Sequence, residues 1–342
     1  MPHNYHRRCL GHDYHGRCIY MVTFMKAYGL PAFSEIKPEP GAAKITPVVN
    51  MLPLGKIIYS GLDKLEHDFP QVKILCRIAM PDHLHFLIFV TERMDRPLGS
   101  VLATFTSRCT KTMRSILANP NFLTETGNRT VRNYWRRAFY DFQKNPKLSV
   151  FTPGFNDKIV FSRTSRESFY NYICDNPRRY LVKKHLPEYF RNKLNLELDG
   201  KKLALYGNFF LLDNPVKSAV KIIRRKETMP DLSQKIQQWQ ETIRCGGVLV
   251  SPFINPEEKV YRDLAIVEGA SVILIVNYIF SERTKPHKTL FDLCGKGRIL
   301  FVSTGNHDLD PNAVTRAEAL EMNAIAVAIA ALAPGSCRLS RR

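Results

Sequence analysis

Apolar and polar residues alternate from Cys18 to Phe24 (CIYMVTF), and aromatic and β-branched side chains dominate, which predicts a first strand. Residues 29–53 hold five prolines and read as loop. Ile58, Leu62 and Leu65 then recur at helical spacing, predicting a helix over about 57–69. VKILCRIAMPDHLHFLIFV consists of two apolar runs parted by Pro81 and Asp82, a pair that favours a turn, so a tight hairpin is expected. From Leu98 to Leu117 the apolar positions (Leu98, Val101, Leu102, Phe105, Cys109, Met113, Ile116, Leu117) return to helical spacing, with Pro97 suited to the first turn.

Residues 119–133 and 147–155 read as breaks, 155–161 as a short strand, and 166–184 as a helix that extends at least to Pro177. The charged stretch 183–202 reads as a linker. Beyond it a helix over 231–244, the apolar run GGVLVSPF, a helix over 256–268, the strands SVILIVN (271–277) and 298–302, and a small-residue buried helix over 324–333 alternate. Apolar strands alternating with helices predict a parallel sheet covered on both faces. No internal repeat or low-complexity tract is evident. Two domains are expected, residues 1–195 and 196–342.

Composition sharpens this picture. Hydrophobic residues make up 44% of the 342, ample for folded cores. Fifty Lys and Arg oppose 31 Asp and Glu, a formal charge of +19. The excess is local: residues 101–200 carry 18 basic and 8 acidic side chains, 201–226 add seven against Asp213 alone, and 251–342 are near neutral at 11 against 10. A basic middle beside neutral sequence points to a polyanion, most often nucleic acid. The longest apolar run, ten residues from Ala324, is too short to span a bilayer, and no membrane partner is expected. Eight cysteines without a CxxC pair and a polar N-terminus fit a reducing cytoplasm. Cys9, His12, His15 and Cys18, spaced by three, could bind zinc, but Gly11, Asp13 and Gly16 favour a loose arm.

His83 and His85 stand two apart on the second hairpin strand, so both imidazoles leave one face of the sheet and can share a divalent metal. The same pattern occurs in cupins, in amidohydrolases and in packed strands without metal. Tyr172 and Asn176, spaced i, i+4, share one helical face. Tyr170 is a close rival to Tyr172, and either ring could be ordinary core. Arg108, Lys111 and Arg114, three apart on the 97–117 helix, and the 129–137 stretch with Arg132, Arg136 and Arg137 are candidates for phosphate contact or for a solvated basic face.

Four blocks in these segments resemble the REP-associated tyrosine transposases, the bacterial branch of the HUH single-tyrosine transposases. MPDHLHFLIFV resembles that family's MPNHVHLLV signature, and YICDNPRRY its YIxxNPxRA segment. DYHGRCIYMVTF resembles the opening strand, and FNDKIVFS the FHDHIIR segment. The resemblance spans residues 13–180. It implies a ferredoxin-like α+β fold with an antiparallel sheet, His83 and His85 as metal ligands, Asn176 as the third ligand, and Tyr172 as nucleophile. It further implies Mg or Mn as cofactor and single-stranded or hairpin DNA as partner, with Arg178 and Arg179 of the NPRR segment among the DNA contacts. A cytoplasmic, nucleoid-associated protein is expected, and a homodimer is allowed.

The implied chemistry is cleavage and transfer of single-stranded DNA through a 5′-phosphotyrosine. A phenol of ordinary pKa near ~10 needs a metal to draw charge from the phosphate. Departures from the family are Asn156 where FHDHIIR has histidine, an apparent insertion over 138–154, and Tyr180 and Leu181 after NPRR. Two other classes stand beside this one. One is a domesticated hairpin-DNA-binding protein without turnover, which need not retain all four residues. The other is a His-x-His metal hydrolase, for which His185 and His287 lack suitable neighbours.

Within residues 203–342, the segments GGVLVSPFINPEEK, SVILIVN and FDLCGKGRILFV resemble the Rossmann-like domains of the DNA-processing and lysine-decarboxylase-like group. No GxGxxG is present, and Gly246-Gly247 precede a strand, so dinucleotide binding is not expected. Ser251 stands where a Rossmann-type sheet would put a ligand loop, although the reading as a plain turn residue is preferred.

Overall fold

The computed structural model describes residues 9, 11–40, 45–222, 229–280, 284, 286–307 and 314–341. The first eight residues and the cations at 224–226 lie outside these. The chain forms two compact units, Met1–Leu181 and Val182–Arg342.

In the first unit β1 (Cys18–Met25) leads into a small antiparallel pair, β2 (Ser34–Pro38) and β3 (Pro47–Met51), within what the prolines suggest is loop. Helix α1 (Pro53–Asp68), β4 (Val72–Ala79), β5 (His83–Val90) and α2 (Leu98–Leu117) follow close to their expected positions. The stretch 119–133, expected as a break, holds a short helix, α3 (Phe122–Glu125), and the start of α4 (Arg129–Lys144). The Asn128 side chain caps α4 by accepting from the Thr130 and Val131 N–H groups. Trp135, Ala138, Phe139 and Phe142 recur on its buried face, so helical spacing and a cap outweigh the polar character of the segment.

Strand β6 (Asn156–Val160) and helix α5 (Arg163–His185) end the region. α5 continues through Pro177 rather than stopping before it. Ile173 before the proline and Leu181 after it are both 1% exposed, and this burial outweighs the lost backbone donor.

The main sheet is antiparallel, in the order β4-β5-β1-β6. Alternate residues serve two faces. Tyr20, Val22, Phe24, Leu84, Phe86 and Ile88 join the core with α1, α2 and α4. Met21, Leu87 and Val160 pack beneath Phe169, Tyr172 and Ile173 of α5.

The stretch expected as a charged linker, 183–202, is ordered. α5 runs to His185, a single 3-10 turn covers Pro187–Phe190, and β7 (Arg191–Leu198) pairs with β8 (Lys201–Gly207). Asp199 (φ 48°) and Gly200 (φ 76°) close the hairpin, matching the twist of the strands they join. Leu196, Leu203 and Leu205 fall on its buried side, an alternation hidden among charges.

The rest of the second unit comprises β9 (Lys217–Ala219), α6 (Met229–Arg244), β10 (Val248–Ser251), α7 (Pro256–Val267) and β11 (Ser271–Tyr278). Then come α8 (Lys288–Gly295), β12 (Ile299–His307), α9 (Arg316–Ala331) and β13 (Arg338–Arg341). The sheet order is β13-β7-β8-β12-β11-β10-β9. Only β9 to β12 are parallel, whereas β8, β7 and β13 are antiparallel, so the sheet is mixed. The four parallel strands follow chain order without a reversal.

α6, α7 and α8 contribute Trp239, Ile243, Ala265 and Leu293 to one face, and α9 contributes Met322, Ile325 and Ile329 to the other. α9 starts eight residues before the apolar run, at a capping box made by Thr315 and Glu318. Gly246 follows α6 with φ 65°, and a Cβ on Gly247 would lie 2.7 Å from the Val216 carbonyl oxygen, so the glycine pair serves the turn into β10. Ser251 is fully buried and accepts from the Phe253 N–H. No helix among the described residues is long and apolar enough to cross a membrane.

Candidate active site

The two-residue period of β5 decides the first feature. Leu84, Phe86 and Ile88 point into the core, so His83, His85 and Leu87 take the α5 face. The imidazoles of His83 and His85 are neighbours, with ring centroids 4.5 Å apart. His85 is 7% exposed.

Each histidine has its Nδ1 engaged. Thr23, directly opposite His85 in the β1–β5 pair, brings Oγ1 to 2.7 Å from His85 Nδ1. Asp82 brings Oδ1 to 2.6 Å from His83 Nδ1. Partners on Nδ1 hold an imidazole's orientation and tautomer, and a metal at this pair would be met through Nε2. Both partners went unnoticed in the sequence. Asp82 left a signal, since it adjoins His83 and stands where MPNHVHLLV has asparagine. Thr23 left none, because only strand register joins it to His85.

Helix α5 supplies the second half. Tyr172 lies over the same face, its ring 5.7 Å from that of His85, and the Arg179 guanidinium is 5.9 Å from the Tyr172 ring centre. Arg179 and Asn176 are 8% and 9% exposed. Asn176 Nδ2 is buried without a hydrogen-bond partner. An amide turned over about its last torsion exchanges nitrogen for oxygen, so this position can present either atom. Tyr170, the rival, is half-exposed on another side of the helix, and the charge of the nearby Cys174 pushes its phenol above the ordinary range.

No family model matches the chain, and no curated protein matches it. Among solved structures, one of a REP-associated tyrosine transposase bound to a REP hairpin is similar over 48% of this chain and 69% of that one. The two share 11% identity and a TM-score of 0.28. At that level the reading of the site rests on its own geometry.

Among the described residues, no three His, Cys, Asp or Glu side chains converge as metal ligands. A three-ligand site at His83 and His85 therefore needs an amide or other neutral third donor. The N-terminal residues do not assemble one either. His12 Nε2 lies 2.8 Å from the Tyr20 hydroxyl, His15 Nδ1 lies 3.0 Å from the Met94 carbonyl, and the Cys18 thiol donates to the Ile19 carbonyl.

The basic candidates separate into two groups. Arg114 donates to the carbonyls of Leu148 and Lys147, a clamp between α2 and the loop after α4. Arg108 pairs with Asp68, and Arg178 grips Asp175 through two bonds of 2.6 and 2.9 Å. Arg132 has a buried Nε without a partner. Lys111 lies with Ser107 and Arg108 along a shallow groove on α2. Arg136 and Arg137 are exposed on α4.

Proposed function

We propose that the first unit cuts and rejoins single-stranded DNA beside a hairpin, through a 5′-phosphotyrosine on Tyr172 and a divalent metal held by His83, His85 and Asn176. The reading is carried by one juxtaposition: a tyrosine from α5 stands 5.7 Å from the second of two adjacent imidazoles on a central strand. The strand order β4-β5-β1-β6, with α1 and then α2 to α4 as the two crossovers, is also the one a ferredoxin-like split β-α-β-β-α-β unit requires.

The donor set fits the implied cation. Two imidazole nitrogens and the buried Asn176 amide would together make a mixed nitrogen and oxygen donor set suited to Mg or Mn. Bound there, the ion would withdraw charge from the phosphoryl oxygens and orient the scissile bond.

The remaining work falls to the chain. The Tyr172 oxygen attacks phosphorus in line, giving up its proton, and the departing 3′ oxygen gains one. One phosphodiester bond breaks as one forms, so the energy is kept, and a second 3′-hydroxyl can reverse the step onto another strand. Arg179, beside the nucleophile ring, gives the incoming phosphate a positive neighbour in a shielded setting.

The test is incubation of the full chain with labelled single-stranded DNA carrying a hairpin, in Mg or Mn. A covalent protein–DNA adduct is expected that disappears in Tyr172→Phe and persists in Tyr170→Phe. Hairpin binding with no adduct under any metal would instead mark a binding protein without turnover.

A further inference from the structure

Opposite its buried face, α4 carries a stripe of Arg129, Arg136, Tyr140 and Lys144 at helical spacing, all exposed. Among the described residues, the side chains of Arg129, Arg136 and Lys144 make no ion pair or hydrogen bond. Tyr140 is 52% exposed, and its ring is held at the surface by a T-shaped contact with Phe139 at 5.7 Å.

A second ring joins it from the loop after β1. Tyr28 is 89% exposed, yet its loop is firmly built. Lys26 Nζ donates to the Leu30 carbonyl at 2.6 Å, and the Ala27 N–H donates to the Val150 carbonyl at 3.0 Å. Gly29, at φ 83°, comes so close to α4 that a Cβ would fall 2.8 Å from Asp141 Oδ2. The Arg137 guanidinium lies 5.5 Å from the Tyr28 ring centre. Ordering an exposed tyrosine on a braced loop adds nothing to the core.

We propose that this surface binds single-stranded DNA, Tyr28 and Tyr140 stacking on unpaired bases while Arg129, Arg136, Arg137 and Lys144 meet phosphates. Exposed rings set among cations match a strand whose bases are free to stack, which duplex bases are not. Tyr28 also lies close in the chain to the strand that bears on the candidate site: Met25, at the end of β1, pairs with His83 and stands three positions before Tyr28, at most about 11 Å of chain. The choice of DNA as the strand rests on the function proposed above.

The experiment measures binding of the full chain to a labelled mixed-sequence oligonucleotide unable to pair with itself, by fluorescence anisotropy over a range of NaCl. Tyr28→Ala and Tyr140→Ala are each expected to weaken binding about ten-fold, with Tyr→Phe restoring it and duplex binding little changed. Arg136→Gln should lower the slope of log affinity against log salt by about 0.7. The proposal is overturned if the double alanine variant binds like wild type, or loses single-strand and duplex affinity equally. A preference for RNA of the same sequence would overturn the assignment to DNA. The Tyr172 adduct is read separately. Adduct formation with unimpaired binding in the alanine variants overturns the surface alone, whereas impaired binding with no adduct in wild type supports the surface and overturns the cleavage reading.

Discussion

Thr23 and His85 face each other across β1 and β5, with Thr23 Oγ1 2.7 Å from His85 Nδ1, although 62 residues separate them in the chain. The contact engages Nδ1 of His85 and so holds the orientation of its ring. Thr23→Val keeps the shape and removes the oxygen. Mn affinity, measured by calorimetric titration, is expected to fall about 10- to 100-fold, while Thr23→Ser stays close to wild type. Equal metal binding in wild type and Thr23→Val would leave the threonine a packing role only.

Asp82 is the matching partner of His83, at 2.6 Å. A carboxylate accepting from the far nitrogen makes the imidazole a better donor, and asparagine keeps the hydrogen bond without the charge. In the same titration Asp82→Asn should bind Mn several-fold more weakly, and Asp82→Ala more weakly still, roughly ten-fold or beyond. Circular dichroism on both variants should match wild type, because Asp82 is exposed.

Arg298 ties the second unit together. Its guanidinium donates to the carbonyls of Ala265, Ile266 and Ala270, closing the C-terminal end of α7. Arg298→Ala leaves these acceptors without that donor and should destabilise the unit by about 2–3 kcal/mol, read as an earlier transition in urea. Arg298→Lys, with a single ammonium in place of the fork, should recover only part of the loss.

Cys109 and Cys294 are fully buried, and burial pushes both thiols up to about 12 from an ordinary value of 9.0. In the folded chain they stay protonated where the unfolded chain already ionises. Their contribution to stability is therefore complete below about pH 9 and is lost as pH rises from there towards 12. Denaturant midpoints should decline over that window, and less steeply in a Cys109→Ala, Cys294→Ala double variant. At pH 8 a thiol reagent should label the exposed Cys174 of the native chain quickly, Cys245 more slowly because its thiol donates to the Glu241 carboxylate, and Cys109 and Cys294 only after unfolding.

Periodicity along the chain was enough to determine the local half of this protein. Alternation on β5 put His83 and His85 on one face, and helical spacing put Tyr172 one turn from Asn176, because both depend only on backbone geometry. Two further local signals stood in the sequence unread. The Asp199-Gly200 turn announces the β7–β8 hairpin, and Asn128 followed by Val131, Trp135, Ala138 and Phe142 announces α4. What only the tertiary structure decided are the relations that cross the chain. Burial on both sides carries α5 through Pro177. An apolar run does not say whether its strand pairs parallel or antiparallel, so the mixed sheet of the second unit was not legible. Nor could spacing distinguish Arg114, committed to two carbonyls, from the unpaired Arg136. Thr23 meets His85 through strand register, which is set by how whole faces bury and so is written in no single segment.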